Sequence, residues 1–574
     1  NSGVIQKLYN NLLGAMQIIN IKIHNFRSIA DCDFSISNYS LLIGANNAGK
    51  SNVMDALRIF YEKDIKYQKQ NDFPKFETKD QDCWIEIEYK LTEDEYNNLK
   101  EDWRQPDNKL RVRKFLDTKE KGKDGKPKLG IFAYDEKSKL SDEPFYGAKN
   151  VQQGKLGEII FIPAASKLDE HTKLSGPSAL RELLNDILKK LVKTSASFKQ
   201  LTTEFESFSS NIKNEKTEEK KSLMGLENDI SSELQEWGAG FELNINPVTE
   251  TDIVKNLVSY KILDKNLNER MDASQFGQGF QRHLIFTLIR TAANYQPPTA
   301  QGKKKEFKPD LTALIFEEPE AFLHPMQQII LCRSLKLIAA NEGNQIFISS
   351  HSPNFVSHNS GDLPSIVSIH KQEKITETGQ IGTNKLNTIF SENQLINDTL
   401  KGTQYEADID DLKEEMETIK YFLWLNAERC GMFFSSLVLL VEGPTERMII
   451  DYFFDIGKLD MPKGGVFVLD CLGKFNIHRF MNILGPLKIN HAVLFDADNE
   501  KPPHEKIIKL IKGSSNDYTK KIDVFPEDIE KFLEIEKSKK AHRKPQHLML
   551  KINEGKIEDK NIELLLEKLR TLIN

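Results

Sequence analysis

Residues 39–52 read YSLLIGANNAGKSN. Tyr39–Ile43 is an apolar run fit for a buried strand, and Val53–Tyr61 carries apolar residues at helical spacing. The loop between them is GxxxxGKS, from Gly44 through Gly49 and Lys50 to Ser51. Its place between a strand and a helix gives the pattern its meaning. Glycines there let backbone N–H groups turn inward around phosphate oxygens, and the helix behind presents its positive end to the anion. Lys50 then reaches the β- and γ-phosphates of ATP, and Ser51 ligates Mg2+. The expected nucleotide contacts are Gly44, Asn46, Asn47, Gly49, Lys50, Ser51 and Asn52.

Farther along, Ala313–Phe316 is a short apolar strand running into Glu317-Glu318-Pro319-Glu320. A carboxylate at such a strand end can hold Mg2+ through water, the role expected of Glu317 beside Ser51. Glu318, next to it, is placed to orient or deprotonate the attacking water. Gln345–Ser349 is a further strand, and it ends in Ser350-His351-Ser352, where His351 can reach the γ-phosphate. Upstream, residues 274–282 (SQFGQGFQR) make a glycine-rich turn entering an apolar helix, with Gly277 and Gly279 as further anion-binding positions.

A second constellation lies near the other end of the chain. The apolar run Leu437–Val441 ends in residues 442–446, EGPTE; Val466–Leu469 leads to Asp470 and a Gly473-Lys474 turn; Ala492–Phe495 runs into Asp496-Ala497-Asp498. Acidic groups at the C-terminal ends of parallel strands converge on one edge of the sheet. Glu442, Glu446, Asp496 and Asp498 gathered there would repel one another unless cations sat between them. Hard oxygen ligands suit Mg2+ or Mn2+. Two such ions ~4 Å apart can activate a water and stabilise the leaving oxygen of a phosphodiester. A helix start at EGPTE and a surface turn at Asp496–Asp498 is the plainer reading of either motif alone. That both follow directly on buried strands favours the site.

Composition bounds these readings. With 574 residues the chain exceeds one hydrophobic core. At 39% hydrophobic, 29% charged and mean hydropathy −0.48 it reads as soluble and globular, and the apolar runs of about 20 residues that a membrane protein needs are absent. A net charge of −6 excludes a histone-like coat on nucleic acid, leaving a local basic surface for DNA, expected at Lys474, Arg479 and the lysines of 501–521. Five scattered cysteines without a CxxC pair exclude a zinc ribbon and a disulfide scaffold, so a cytoplasmic setting is expected. Residues 1–15 lack a signal-peptide pattern and are set aside as an extension.

The expected fold class is α/β, in two sheet-bearing domains: residues 16–400, a helical connector over 401–433, and residues 434–574. Within the first, residues 178–237 read as helices, either packed on the domain or forming an inserted dimerisation arm. Residues 118–128 read as a solvated hairpin tip or loop, Phe241–Ile245 and Leu257–Leu263 as strands, and 372–403 as polar and irregular.

The order of the first set resembles the ATP-binding-cassette ATPases, within them the heads related to SMC and DNA-repair proteins. GANNAGKS looks like Walker A, and SQFGQGFQR stands at the place of the signature motif, departing from LSGGQ. LIFEEPEAFLHP looks like Walker B, catalytic glutamate and D-loop, with Glu317 where Asp is more usual; ISSHSP looks like the switch-histidine strand. The resemblance implies that two copies sandwich ATP, hence a homo-oligomer, dimer or tetramer. The second set resembles the Toprim domain, a Rossmann-like α/β unit. A topoisomerase needs a DNA-gate domain with a tyrosine nucleophile, and a bacterial-type primase carries a cysteine-rich zinc module; the chain has neither. An ABC-type head followed by a Toprim domain is the architecture of the OLD (overcoming lysogenization defect) family nucleases, and the likeness covers most of residues 16–574. It implies that Glu446 joins Glu442, Asp496 and Asp498 as a metal ligand, with Glu530 (in Asp528-Ile-Glu530) and Lys544 completing the site. It also implies DNA cleavage, defence against phage in several members, and for some a helicase-like or reverse-transcriptase partner. The rival reading is an ATP-gated DNA clamp or repair ATPase whose Toprim fold is silent.

Overall fold

The computed structural model describes residues 14–122, 125–147, 154–164, 311–321, 323–356, 360–402, 414–498 and 504–573. Between 165 and 310 it describes 195–213, 221–246, 261–277 and shorter pieces. Two compact units emerge, residues 165–303 and the rest of the chain.

The larger unit holds two sheets. The first has twelve strands: β1 (Gln17–Phe26), β2 (Ile29–Ser35), β3 (Tyr39–Ile43), β4 (Cys83–Lys90), β5 (Lys109–Asp117), β6 (Gly130–Tyr134), β7 (Leu140–Pro144) and β8 (Glu158–Ile162) come from the N-terminal part. After β9 (Ile262–Asp264) and β10 (Glu269–Met271), a hairpin of the smaller unit, come β11 (Thr312–Glu317), β12 (Asn344–Ser349), β13 (Ile366–Gln372) and β14 (Ile375–Gln380). The order is β7-β6-β5-β4-β1-β2-β14-β13-β3-β12-β11-β8. From β13 through β3, β12 and β11 to β8 every pair is parallel. Continuous apolar runs such as that of β3 suit strands covered on both faces. The β7-to-β2 half is antiparallel, and its strands mix polar and apolar residues. The described residues of 118–128 lie in the β5–β6 connection, where a hairpin tip or loop is expected.

The second sheet, β16-β15-β17-β18, is wholly parallel: β15 (Leu437–Val441), β16 (Val466–Asp470), β17 (Asn490–Asp496) and β18 (Thr519–Phe525). One face is covered by helices Pro444–Asp455, Lys544–Asn553 and Asp559–Ile573, which share its core. Helices and sheets throughout bear out the α/β class.

Some local expectations fail. Residues 372–403 are not irregular: they hold β14 and helix Thr383–Leu400. Only Leu386, Ile389 and Phe390 of that helix's described side chains are buried, too sparse a stripe to stand out in a polar stretch. Phe241–Ile245 is not a strand; Phe241 N–H bonds Ser231 Oγ at 2.9 Å instead of a ladder partner. In the smaller unit, no side chain of helices Ala196–Ile212 and Leu223–Leu234 is buried. All five cysteines are free and buried. No helix among the described residues is long and apolar enough to cross a membrane.

The two sheets of the larger unit meet at the β13–β14 hairpin. The turn just before β17 docks on it: the Leu487 carbonyl accepts from Ser368 Oγ and stands 2.8 Å from His370 Nε2, and Lys488 pairs with Glu377 at 2.8 Å. Gly379 must stay without a side chain, since a Cβ there would lie 2.7 Å from the Leu487 carbonyl.

Candidate active sites

The Gly44–Ser51 loop joins β3 to helix Lys50–Phe60 at the C-terminal edge of the parallel strands. Gly44 and Gly49 have φ of 146° and 116°, and a Cβ would fall 2.2 Å from the Ile369 carbonyl or 2.4 Å from Thr376 Oγ1. These two glycines are therefore demanded twice, by conformation and by packing. Asn46 and Asn47 stand exposed on the loop, Asn47 at φ 63°. Lys50 Nζ folds back on the carbonyls of Gly44 (2.8 Å) and Ala45 (3.1 Å), with His351 Nε2 at 3.0 Å. Burial lowers the Lys50 ammonium pKa against the pull of Glu318, Glu320 and Glu317. Burial, then Lys50, lowers that of His351.

Ser51 Oγ donates to Glu317 Oε1 at 2.7 Å, so the pair expected to share a cation is in contact. Glu318, at φ 46°, sets its carboxylate 3.5 Å from His351 Nε2. Asn52 faces away from the loop mouth, bonded to Ser28 (2.6 Å) and to Arg27 (3.3 Å). Gly277 lies on an exposed turn of the smaller unit, and Gly279 falls outside the described residues. Two residues that the sequence did not single out hold the site together. Glu320 accepts the His351 N–H at 2.6 Å, and Thr376 donates to the Ala48 carbonyl at 2.8 Å. Thr376 belongs to no motif, and Glu320, though it closes the Glu317–Glu320 stretch, carries no signal of its bond to the His351 backbone.

The second site grows from the C-terminal edge of the smaller sheet. β15 and β17 are parallel neighbours with Val441 opposite Leu494, so Glu442 and Asp496 emerge side by side. Asp496 N–H donates to Glu442 Oε2 at 3.2 Å. Glu446, in the first turn of helix Pro444–Asp455, accepts from Gly443 N–H at 3.0 Å and caps that helix. Burial, with Glu442 beside it, pushes the Glu446 carboxyl up to about 7. Burial, then the charges of Glu446 and Glu442, push Asp496 up to about 9. Burial raises Glu442 too, against the pull of Lys474.

Glu530 is fully buried and stands 3.1 Å from Lys544 Nζ. Burial would lower the Lys544 ammonium, but Glu530, then Asp496 and Asp528, carry it above its ordinary value. Asp528 instead caps the short helix Ile529–Phe532 and pairs with Lys537 at 2.5 Å.

Lys474 and Arg479 do not form a basic surface. Both are buried, Lys474 among the carboxylates and Arg479 on a helix, Ile477–Leu484, which lies under Tyr421. A lysine after a glycine turn reads as solvated in sequence; only the fold turns it inward.

The donor set fits divalent cations. It is all hard oxygen, mostly buried, and Asp496 Oδ1 is buried with no hydrogen-bond partner among the described residues. Burial is the largest cause of the raised carboxyl values, and a bound cation would oppose it. No three His, Cys, Asp or Glu side chains among the described residues already stand at ligand spacing. The Lys474 ammonium instead stands against the Asp498 carboxylate, with Glu442 at 4.0 Å.

A phosphate-binding loop on a parallel sheet and an acidic edge on a second sheet define a P-loop ATPase joined to a Toprim-type centre. The chain belongs to the AAA ATPase domain family, whose model matches residues 16–356. Residues 433–498 match the Overcoming lysogenization defect protein-like TOPRIM domain. The chain is 23% identical to Endonuclease GajA of Bacillus cereus (strain VD045), over 87% of this chain and 78% of that protein. It is 21% identical to Old nuclease of Escherichia phage P2 (84% and 77%). It is also 21% identical to OLD nuclease of Thermus scotoductus (83% and 81%).

Proposed function

We propose that the protein is an ATP-hydrolysing, divalent-metal-dependent DNA endonuclease of the OLD type, acting in defence against phage. The observation that carries the reading is the buried acidic edge. Glu442 and Asp496 stand at the ends of neighbouring strands, with Asp498 and Glu446 beside them and Asp496 Oδ1 without a hydrogen-bond partner among the described residues. A binding-only domain gains nothing from concentrating negative charge where DNA must lie, which disfavours the silent clamp. The nuclease names of the relatives support the same reading.

Glu442, Glu446, Asp496 and Asp498 would hold one or two Mg2+ or Mn2+ ions, with Glu530 as a further ligand. Bound there, the metal supplies a water of lowered pKa and neutralises charge on the leaving oxygen. Lys544, kept protonated by Glu530, brings positive charge to the phosphate. Lys50 neutralises the β/γ-phosphates of ATP, Ser51 and Glu317 hold its Mg2+, Glu318 orients water and His351 senses the γ-phosphate. The head works as a homo-oligomer, in which Gly277 and Gly279 of one copy meet the nucleotide of another. The exposed apolar residues Leu201, Phe208, Met224 and Leu226 of the 178–237 stretch support such association.

The test is purified protein with supercoiled DNA, with Mg2+ or Mn2+, with and without ATP. Wild type should nick, EDTA should stop it, and Asp496→Ala should not cut. An Asp496→Ala protein cutting at the wild-type rate would place the chemistry elsewhere.

A further inference from the structure

The proposed reaction leaves Lys474, a sequence feature of the second site, without a role. Its side chain is 2% exposed. The ammonium contacts the Asp498 carboxylate, donates to the Asp496 carbonyl at 2.8 Å and lies 4.0 Å from Glu442 Oε2. The backbone before it is built to send it inward. Leu472 takes φ 60° with its apolar side chain half in solvent, and Gly473 takes φ 104°. A left-handed leucine persists only where its surroundings over-determine it. Here three bonds do so. Cys471 N–H donates to the Val441 carbonyl (3.0 Å), Gly473 N–H to the Glu442 carbonyl (2.7 Å) and Leu472 N–H to Asp470 Oδ1 (2.8 Å). The turn is thus stitched to the end of β15, and Lys474 is aimed across it at the end of β17.

We propose that Lys474 is a resident cation that competes with metal for Asp498 and so sets the affinity of the centre. This rests on the metal-centre reading above. A buried ammonium persists only with acceptors around it, and those acceptors are the groups a divalent ion would take. An ammonium and a divalent ion on one carboxylate oxygen repel each other strongly. Metal that takes the Asp498 oxygen held by Lys474 therefore displaces the ammonium. Lys474 keeps the carboxylates compact without metal and weakens metal binding. It is a positioning residue for Asp498.

The test is Mn2+ titration of nucleotide-free protein, followed by the electron paramagnetic resonance of free Mn2+, with Glu442→Ala as the blank for sites outside the centre. Lys474→Met should bind Mn2+ tighter by roughly tenfold or more, and Lys474→Arg, which keeps the charge, should stay close to wild type. In EDTA the Lys474→Met protein should melt below wild type, and Mn2+ should raise its melting temperature by more. In an Asp498→Asn background Lys474→Met should no longer change affinity. If Lys474→Met folds only with metal, chelator competition on the Mn2+-purified protein gives the same comparison. Equal or weaker Mn2+ binding by Lys474→Met, with wild type binding in a Glu442-dependent way, overturns the role of Lys474 alone. No Glu442-dependent Mn2+ binding by wild type overturns the metal centre and Lys474's role with it.

Discussion

The two sites solve opposite electrostatic problems. The Gly44–Ser51 loop must hold an anion, and it does so with backbone shape: two left-handed glycines, exposed asparagines and a lysine resting on carbonyl oxygens. The acidic edge, in the proposed function, would hold cations, and it presents buried carboxyls raised to about 7 and about 9 at Glu446 and Asp496. The first is a preformed cradle whose charges are modest and paired. The second gathers carboxyl groups whose ionisation burial opposes and a cation would favour. Function at the loop therefore depends on geometry, and function at the edge on charge.

The largest expected effect separates the two. Glu442→Ala or Asp496→Ala should reduce DNA cutting by roughly a hundredfold or more, with ATP turnover retained. The sheets have separate cores, and the apolar strands before these residues are untouched. Lys50→Ala should do the reverse, abolishing ATP hydrolysis while Mn2+ binding at the acidic edge persists. Parallel phosphate-release and plasmid-nicking assays check both. Loss of both activities in either variant would collapse the distinction. Glu318→Gln should be milder in kind: nucleotide binding is kept, turnover slows, and a fluorescent-ATP titration beside the turnover assay separates the two.

Next in size is the stability of the acidic edge itself. The Asp496 carboxyl sits at about 9 in the folded chain against 3.8 for an ordinary aspartate. Between those values the folded state binds more protons than the unfolded state, so stability falls as pH rises through the window. In EDTA the melting temperature of Asp496→Asn should therefore overtake that of wild type as pH rises from 5 to 9. Mn2+ should restore the wild type and leave Asp496→Asn nearly unmoved. A constant gap between the two proteins across that range would show that Asp496 carries no stored charge.

These sites differ in how far sequence exposes them. Gly44–Ser51, Glu317-Glu318 and Asp496–Asp498 were legible because each directly follows an apolar strand, and parallel strands bring their C-terminal ends to one edge. The pairing of the large sheet was less legible, since β3 lies far along the chain from its neighbours β12 and β13. Helix Thr383–Leu400 was missed because three buried apolar side chains scarcely mark a face. Lys474 was misread as surface because its direction is set by Leu472 and Gly473 backbone angles, which have no periodic signal. Thr376 and Glu320 act through single hydrogen bonds to backbone, and such contacts leave no pattern at all.

The smallest expected effect lies where the two regions touch. Thr376 bonds the phosphate loop at Ala48, and the next residue, Glu377, pairs with Lys488 just before β17, the strand that ends in Asp496. Both partners are about one-third exposed, so the pair is worth no more than about 1 kcal/mol. Glu377→Gln should accordingly lower the melting temperature by only a degree or two, roughly. Neither residue touches either site, so ATP turnover and the cutting rate without nucleotide should stay at wild type. The sensitive quantity is the ratio of cutting rates with and without ATP. If the hairpin carries the response of the acidic edge to nucleotide, that ratio should move toward one in Glu377→Gln and in Lys488→Met. Combining the two substitutions should add little, because each already breaks the same pair. An unchanged ratio in both variants would mean that the sheets communicate by another route. It would also leave the docking of Leu487 on Ser368 and His370 as a purely structural joint.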